Sequence, residues 1–174
     1  MKEALLHKRA SYLRDSVFAA SDGVVTTFAV VAGATGASLD PTVVVILGFA
    51  NLFADGLSMS AGTYLGVKSE VEYEQVEGDK HISEATPKRQ ALVTFLAFDS
   101  AGLVPLIPYI LGLRSSNFIL SLSLVFILLF IIGALKGNYT KKKWLRSGFE
   151  MLLIGGVAAV VAYVTGFVIK GYIY

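Results

Sequence analysis

Asp22, Asp55 and Met59 sit inside stretches that otherwise have the composition of membrane-spanning helices. An ionised Asp at the bilayer centre costs about 2.5–3.5 kcal/mol on insertion scales. A chain that keeps two such groups uses them on something positively charged. Met59 follows Asp55 by one helical turn, and a thioether favours softer transition-metal ions over Mg2+ or Ca2+. Asn51 precedes Asp55 by the same spacing, so amide, carboxylate and thioether fall along one slowly drifting face. A lone Met is usually a gap-filler in a core, and only its register with Asp55 raises it above that.

Asp22 belongs to Ser21-Asp22-Gly23, with Asp15 two turns earlier on roughly the same face and Thr26 one turn later. Beyond it run Ala29, Ala32, Gly33 and Gly36, a small-residue surface suited to close helix contact. A helix with this polar stripe should be buried against protein or line a wet path. The bland alternative is that Asp22 caps a kink at Gly23 or pairs with a cation, but no Lys or Arg lies in any span core. Asp99, followed by Ser100-Ala101-Gly102, reads as locally hydrogen-bonded. Glu150 reads as an interfacial partner of Arg146.

Between residues 67 and 90 lie six of the 13 acidic residues. If the preceding span continues as a helix, Glu70, Glu74, Glu77 and His81 share a face, and carboxylates with an imidazole suit a divalent metal. The competing reading is a solvated acidic helix that ends before Pro87.

These groups must be held by membrane helices. The chain has 174 residues, 55% hydrophobic and 16% charged, with mean hydropathy +0.66. Soluble domains carry about a quarter charged residues. Five spans are expected at about 15–36, 41–66, 90–111, 117–135 and 147–169, each close to the length a crossing needs. They make one all-α domain over 1–174, with an acidic loop at 67–90. Pro41 suits the first turn of the second span. Span 1 lacks the clean apolar stretch of a cleavable signal. With no cysteine, disulfides and thiolate sites are excluded.

Thirteen of the 15 Lys and Arg fall in the N-terminal arm, in 67–90 and in 136–146, against Arg114 and Lys170 elsewhere. The positive-inside bias puts the N-terminus in the cytoplasm and the C-terminus outside, with the bilayer as partner rather than nucleic acid. Neither a targeting segment nor long loops are evident, so a prokaryotic plasma membrane is expected.

Ser21-Asp22-Gly23 with Thr26-Thr27-Phe28-Ala29-Val30-Val31-Ala32-Gly33-Ala34 resembles the first helix of the vacuolar iron transporter family. Gly48-Phe49-Ala50-Asn51, Asp55-Gly56-Leu57-Ser58-Met59-Ser60, Tyr64-Leu65 and Lys68-Ser69-Glu70 resemble its second. Pro105-Leu106-Ile107-Pro108-Tyr109 resembles the third, and Gly133-Ala134-Leu135-Lys136, Arg146-Ser147-Gly148 and Gly155-Gly156 resemble the end.

The resemblance implies a five-helix protomer and a two-fold homodimer with its pore between subunits. It implies exchange of cytosolic Fe2+, often Mn2+, for protons, with the metal as substrate and no resident cofactor. It implies that Asp22 and Met59 form the mid-membrane metal pair, with Asp15 nearer the cytoplasmic mouth. Family members often carry Glu where this chain has Asn51; Asp55, a turn later, stands where it can substitute. The family's three-helix cytosolic metal-binding domain has only residues 67–90 in its place.

The expectation is a proton-coupled exporter of Fe2+ or Mn2+. The alternative is a membrane metal-binding or sensing module that does not transport. An enzyme finds no support, because no nucleophile–base arrangement is evident.

Overall fold

Local chemistry at the chain's turns fixes where its helices start and stop. The computed structural model describes residues 2–77, 86–112 and 117–173, with side chains described for 9–76, 86–112 and 117–172. Helix α1 (Lys2–Gly36) is followed by α2 (Pro41–Glu77), α3 (Pro87–Gly102), a 3-10 turn (Val104–Leu106), α4 (Ile107–Ile110), α5 (Asn117–Tyr139) and α6 (Trp144–Ile173). Among the described residues there is no strand.

α1 ends in a Schellman turn. The Leu39 N–H donates to the Ala34 carbonyl and the Ser38 N–H to that of Thr35, both at 2.9 Å, with Ser38 at φ 57°. Asp40 then opens α2: its carboxylate accepts the Thr42 N–H at 2.8 Å, and Pro41 takes the first helical position. These contacts hold the Asp40 carboxyl below the usual carboxylate range. Lys170 at the far end of α6 donates to Ser38 Oγ at 2.7 Å and ties α6 to this turn.

Five helical stretches are long and apolar enough to cross a membrane: Arg9–Gly36, Pro41–Val76, Pro87–Ile110, Asn117–Tyr139 and Trp144–Tyr172. The chain is a multi-pass membrane protein. α1 lies at the centre, packed against α2, α3, α5 and α6. Its Val24, Phe28 and Val31 meet Val44, Leu106, Val125 and Leu129 in the core. α6 instead exposes Val157, Val160, Val161 and Phe167, a face suited to lipid.

Two crossings of α1 depend on glycine. A Cβ at Gly23 would strike the Phe98 carbonyl oxygen, and one at Gly166 would strike that of Gly33. The first crossing corrects the kink reading of Gly23: α1 is helical from end to end, and the glycine admits α3.

The spans differ from expectation at their ends. α1 begins at Lys2 rather than near 15, and α2 runs to Glu77 rather than 66, so much of the expected loop 67–90 is helix. Hydropathy falls where Lys and Glu enter, but the backbone ladder closes within the helix in water as well as in lipid. At 1.5 Å per residue the 37 residues of α2 reach roughly 55 Å, well beyond a hydrocarbon core of about 30 Å. α5 and α6 also run a few residues past the expected limits.

The third span, expected as one helix over 90–111, is broken after Gly102. Pro105 and Pro108 have no N–H to donate, and a short turn and α4 complete the stretch. Ser121 donates to the Pro105 carbonyl at 2.7 Å and satisfies buried backbone at the break.

Candidate functional site

The tight turn at 37–40 makes α1 and α2 neighbours running in opposite directions, so residues early in α1 face residues late in α2. A groove of about 450 Å3 follows their seam, lined by Arg14, Asp15 and Phe18 of α1 and by Met59, Thr63 and Glu70 of α2, with Gly62 and Gly66 between. Three expected site residues, Asp15, Met59 and Glu70, thus face one space. Further along, Asp22 and Asp55 are close enough for their charges to act on each other. Asp22 is half-buried and takes part in no ion pair; among the described residues the ion pairs are Arg14–Asp15 and Lys68–Glu72.

Each group has its own environment. Asp15 receives Arg14 Nε on one oxygen at 2.9 Å, while its other oxygen is buried without a hydrogen-bond partner. Met59 lines the groove and also packs against the cluster of Ala19, Leu52 and Phe98, so it is both wall and filler. The Asn51 amide nitrogen is buried without a partner. Glu70 is exposed and Glu74 half-buried. The side chain of Glu77 and all of His81 lie outside the described residues. Thr26 does not extend the polar stripe, because its hydroxyl donates to the Asp22 carbonyl at 2.8 Å.

Two readings of weaker acids change. Arg146 and Glu150 form no ion pair. Asp99 is not locally bonded: Ser100 donates to the Ala97 carbonyl instead, and both Asp99 carboxyl oxygens are buried without a partner. They lie against Gly56, where a Cβ would stand 2.9 Å from one oxygen and 3.0 Å from the other. Asp99 is thus packed beside the residue that follows Asp55. Sequence reasoning passed it over because the Ser and Gly after it looked sufficient to satisfy it.

Among the described residues, no three His, Asp or Glu side chains of one chain form a group able to hold a metal ion. The donors form a line of carboxylates and a thioether along the α1–α2 seam, with Asn51 and Asp99 contributing buried polar atoms nearby. Much of the α2 face beside that line is uncovered: Phe53, Leu57, Ala61, Gly62 and Gly66 are exposed, and nothing lies within 4 Å of a Cβ built at Gly62 or Gly66.

Five apolar spans with titratable groups along the seam of the first two define a polytopic membrane protein that handles a polar or charged species. The VIT family model matches residues 13–84 and 75–167, and the chain belongs to that family. The vacuolar iron transporter of Toxoplasma gondii is 27% identical over 231 aligned positions, covering 95% of this chain and 76% of the relative. Vacuolar iron transporter 1 of Arabidopsis thaliana is 26% identical over 208 positions (87% and 83%). Vacuolar iron transporter homolog 2 of the same plant is 29% identical over 163 positions (90% and 83%).

The alignment lengths are informative. Covering 87% of a 174-residue chain with 208 positions requires an inserted stretch in the relative, whereas 163 positions for 90% require almost none. The two matched stretches overlap at 75–84, from the end of α2 into the α2–α3 connection.

Proposed function

We propose that this protein moves a divalent transition metal, Fe2+ or Mn2+, out of the cytoplasm in exchange for protons, through a path at the two-fold axis of a homodimer. The observation that carries the reading is the line of Asp15, Met59, Asp22 and Asp55 beside an uncovered face of α2, with no three-ligand group among the described residues of a single chain. A second copy across that face doubles every donor. The relatives named as iron transporters support the substrate class.

The N-terminus and the late turns of α2 lie at the cytoplasmic face in this reading, in keeping with the basic residues around them. Metal enters at the groove past Asp15 and Glu70. Arg14, bound to Asp15, must give up that carboxylate or share it. The ion then reaches Asp22 and Met59, with Asp55 of the next turn in electrostatic range. Carboxylates bind metal only when deprotonated, so each ion taken up displaces protons and protons entering from the far side displace the ion. That competition couples the two flows. A thioether among oxygens favours a borderline transition ion over Ca2+ or Mg2+.

The test is transport by the purified protein in liposomes, with Fe2+, Mn2+, Co2+, Zn2+ and Ca2+ offered across a pH gradient. Wild type should carry Fe2+ or Mn2+ and acidify or alkalinise the lumen in step, and Asp22→Asn should abolish both signals. Metal binding without flux would instead favour the non-transporting module, and unchanged flux in Asp22→Asn would remove that carboxylate from the path.

A further inference from the structure

The α5–α6 connection contains a second concave site that the transport reading does not use. Its pocket of about 590 Å3 is lined by Lys142, Lys143, Arg146, Ser147 and Glu150. We propose that this pocket binds the phosphate headgroup of an anionic phospholipid at the membrane surface.

The turn presents the cations in a fixed geometry. Lys142 N–H donates to the Gly137 carbonyl at 2.9 Å and Lys141 N–H to that of Asn138 at 3.3 Å, with Lys141 at φ 55°, so α5 ends in a Schellman turn. α6, 30 residues long, begins at Trp144 and directs its first backbone N–H groups toward the same region, where an anion is favoured. None of Lys142, Lys143 and Arg146 has a carboxylate partner among the described residues.

Ser147 closes the inner wall of the pocket against α5. It is only 3% exposed, lines the pocket and has a hydroxyl with no hydrogen-bond partner. Gly137 opposite lets Ser147 pack closely on α5: a Cβ there would stand 2.9 Å from the Ser147 Cβ.

The position fits a lipid rather than a soluble anion. The pocket sits at the junction of two apolar spans, where headgroups lie. Trp144 beside it is 53% exposed and packs edge-on against Phe130, and Phe149 is 61% exposed on the next turn, an arrangement suited to the membrane interface. Three cations against the single carboxylate of Glu150 favour a headgroup of net negative charge over a zwitterionic one.

The chain has one tryptophan, so Trp144 fluorescence reports this site alone. The full-length protein in phosphatidylcholine bilayers is titrated with brominated phosphatidylglycerol or, separately, brominated phosphatidylcholine. Phosphatidylglycerol should quench Trp144 well beyond phosphatidylcholine at equal mole fraction. The preference should fall roughly fivefold for each side chain lost as Lys142→Gln, Lys143→Gln and Arg146→Gln are combined. Lys141→Gln, outside the pocket, should keep it. Equal quenching by the two lipids, a preference that survives the triple change, or an equal loss in Lys141→Gln would overturn the proposal. So would loss of the preference on adding millimolar inorganic phosphate, which would assign the pocket to a soluble anion.

Discussion

Asp22 and Asp99 are both carboxylates within apolar spans, and their surroundings give them different roles. Asp22 is half-buried at the seam and within electrostatic range of Asp55, and in the proposed path it is the group that exchanges protons and metal. Asp99 has two buried oxygens packed against Gly56 and no partner for either. A buried polar group left unbonded costs about 1–3 kcal/mol. Asp99 therefore weakens the fold and is not held for its stability. Leu shares its branching at Cγ, so Asp99→Leu should raise the unfolding free energy by about 1–3 kcal/mol, read as a higher melting temperature in detergent. A lower melting temperature would show that Asp99 has a structural partner after all. Met59 shows how far residue type alone can be read. Its spacing from Asp55 pointed to a ligand and its chemistry to a filler, and it both lines the groove and packs on Leu52 and Phe98.

The existence of the helices was legible in the sequence because apolar runs of crossing length leave few alternatives in a membrane. Their ends were less legible, for two physical reasons. Hydropathy marks where lipid stops, not where the helix stops, so α2 continues through Lys68, Glu70 and Glu74 to Glu77. Conversely, Pro105 and Pro108 lie in an apolar run whose hydropathy conceals a broken backbone. The α1–α2 turn was the best-marked junction, since Asp40-Pro41 is a cap followed by a first-turn proline. It also gives a pH prediction. Thr42 holds the folded Asp40 carboxyl below its ordinary range. Its contribution is therefore complete above the unfolded pKa and is lost as pH falls through the folded one. Hydrogen exchange at Thr42 and Val43, corrected for intrinsic rates, should show protection falling with acidification in wild type. In Asp40→Asn, which keeps an acceptor but does not titrate there, protection should be independent of pH across that range. In Asp40→Ala it should be low throughout.

At the scale of the whole molecule, one chain accounts for its core but not for its polar seam. Gly23, Gly33 and Gly166 are each filled by a neighbouring helix, whereas Gly62 and Gly66 have the same spacing logic and face nothing within 4 Å. In the sequence the small residues of span 1, Gly33 and Gly36, and those of span 2, Gly62 and Gly66, read alike. The sequence could not separate those that pack within a protomer from those left open, because that depends on which helices surround α2. A homodimer through the open face gives Gly62 and Gly66 a contact and brings two α1–α2 seams together. Gly62→Leu with Gly66→Leu tests this arrangement at two positions where a Cβ meets no described atom within 4 Å. Replacing a glycine in a helix interior removes a propensity cost of about 1 kcal/mol each. Thermal unfolding of the double variant should therefore be no lower than wild type, while native mass spectrometry should show the dimer fraction reduced. Retention of both dimer and transport would place the two-fold contact elsewhere and require the ions to cross within one protomer.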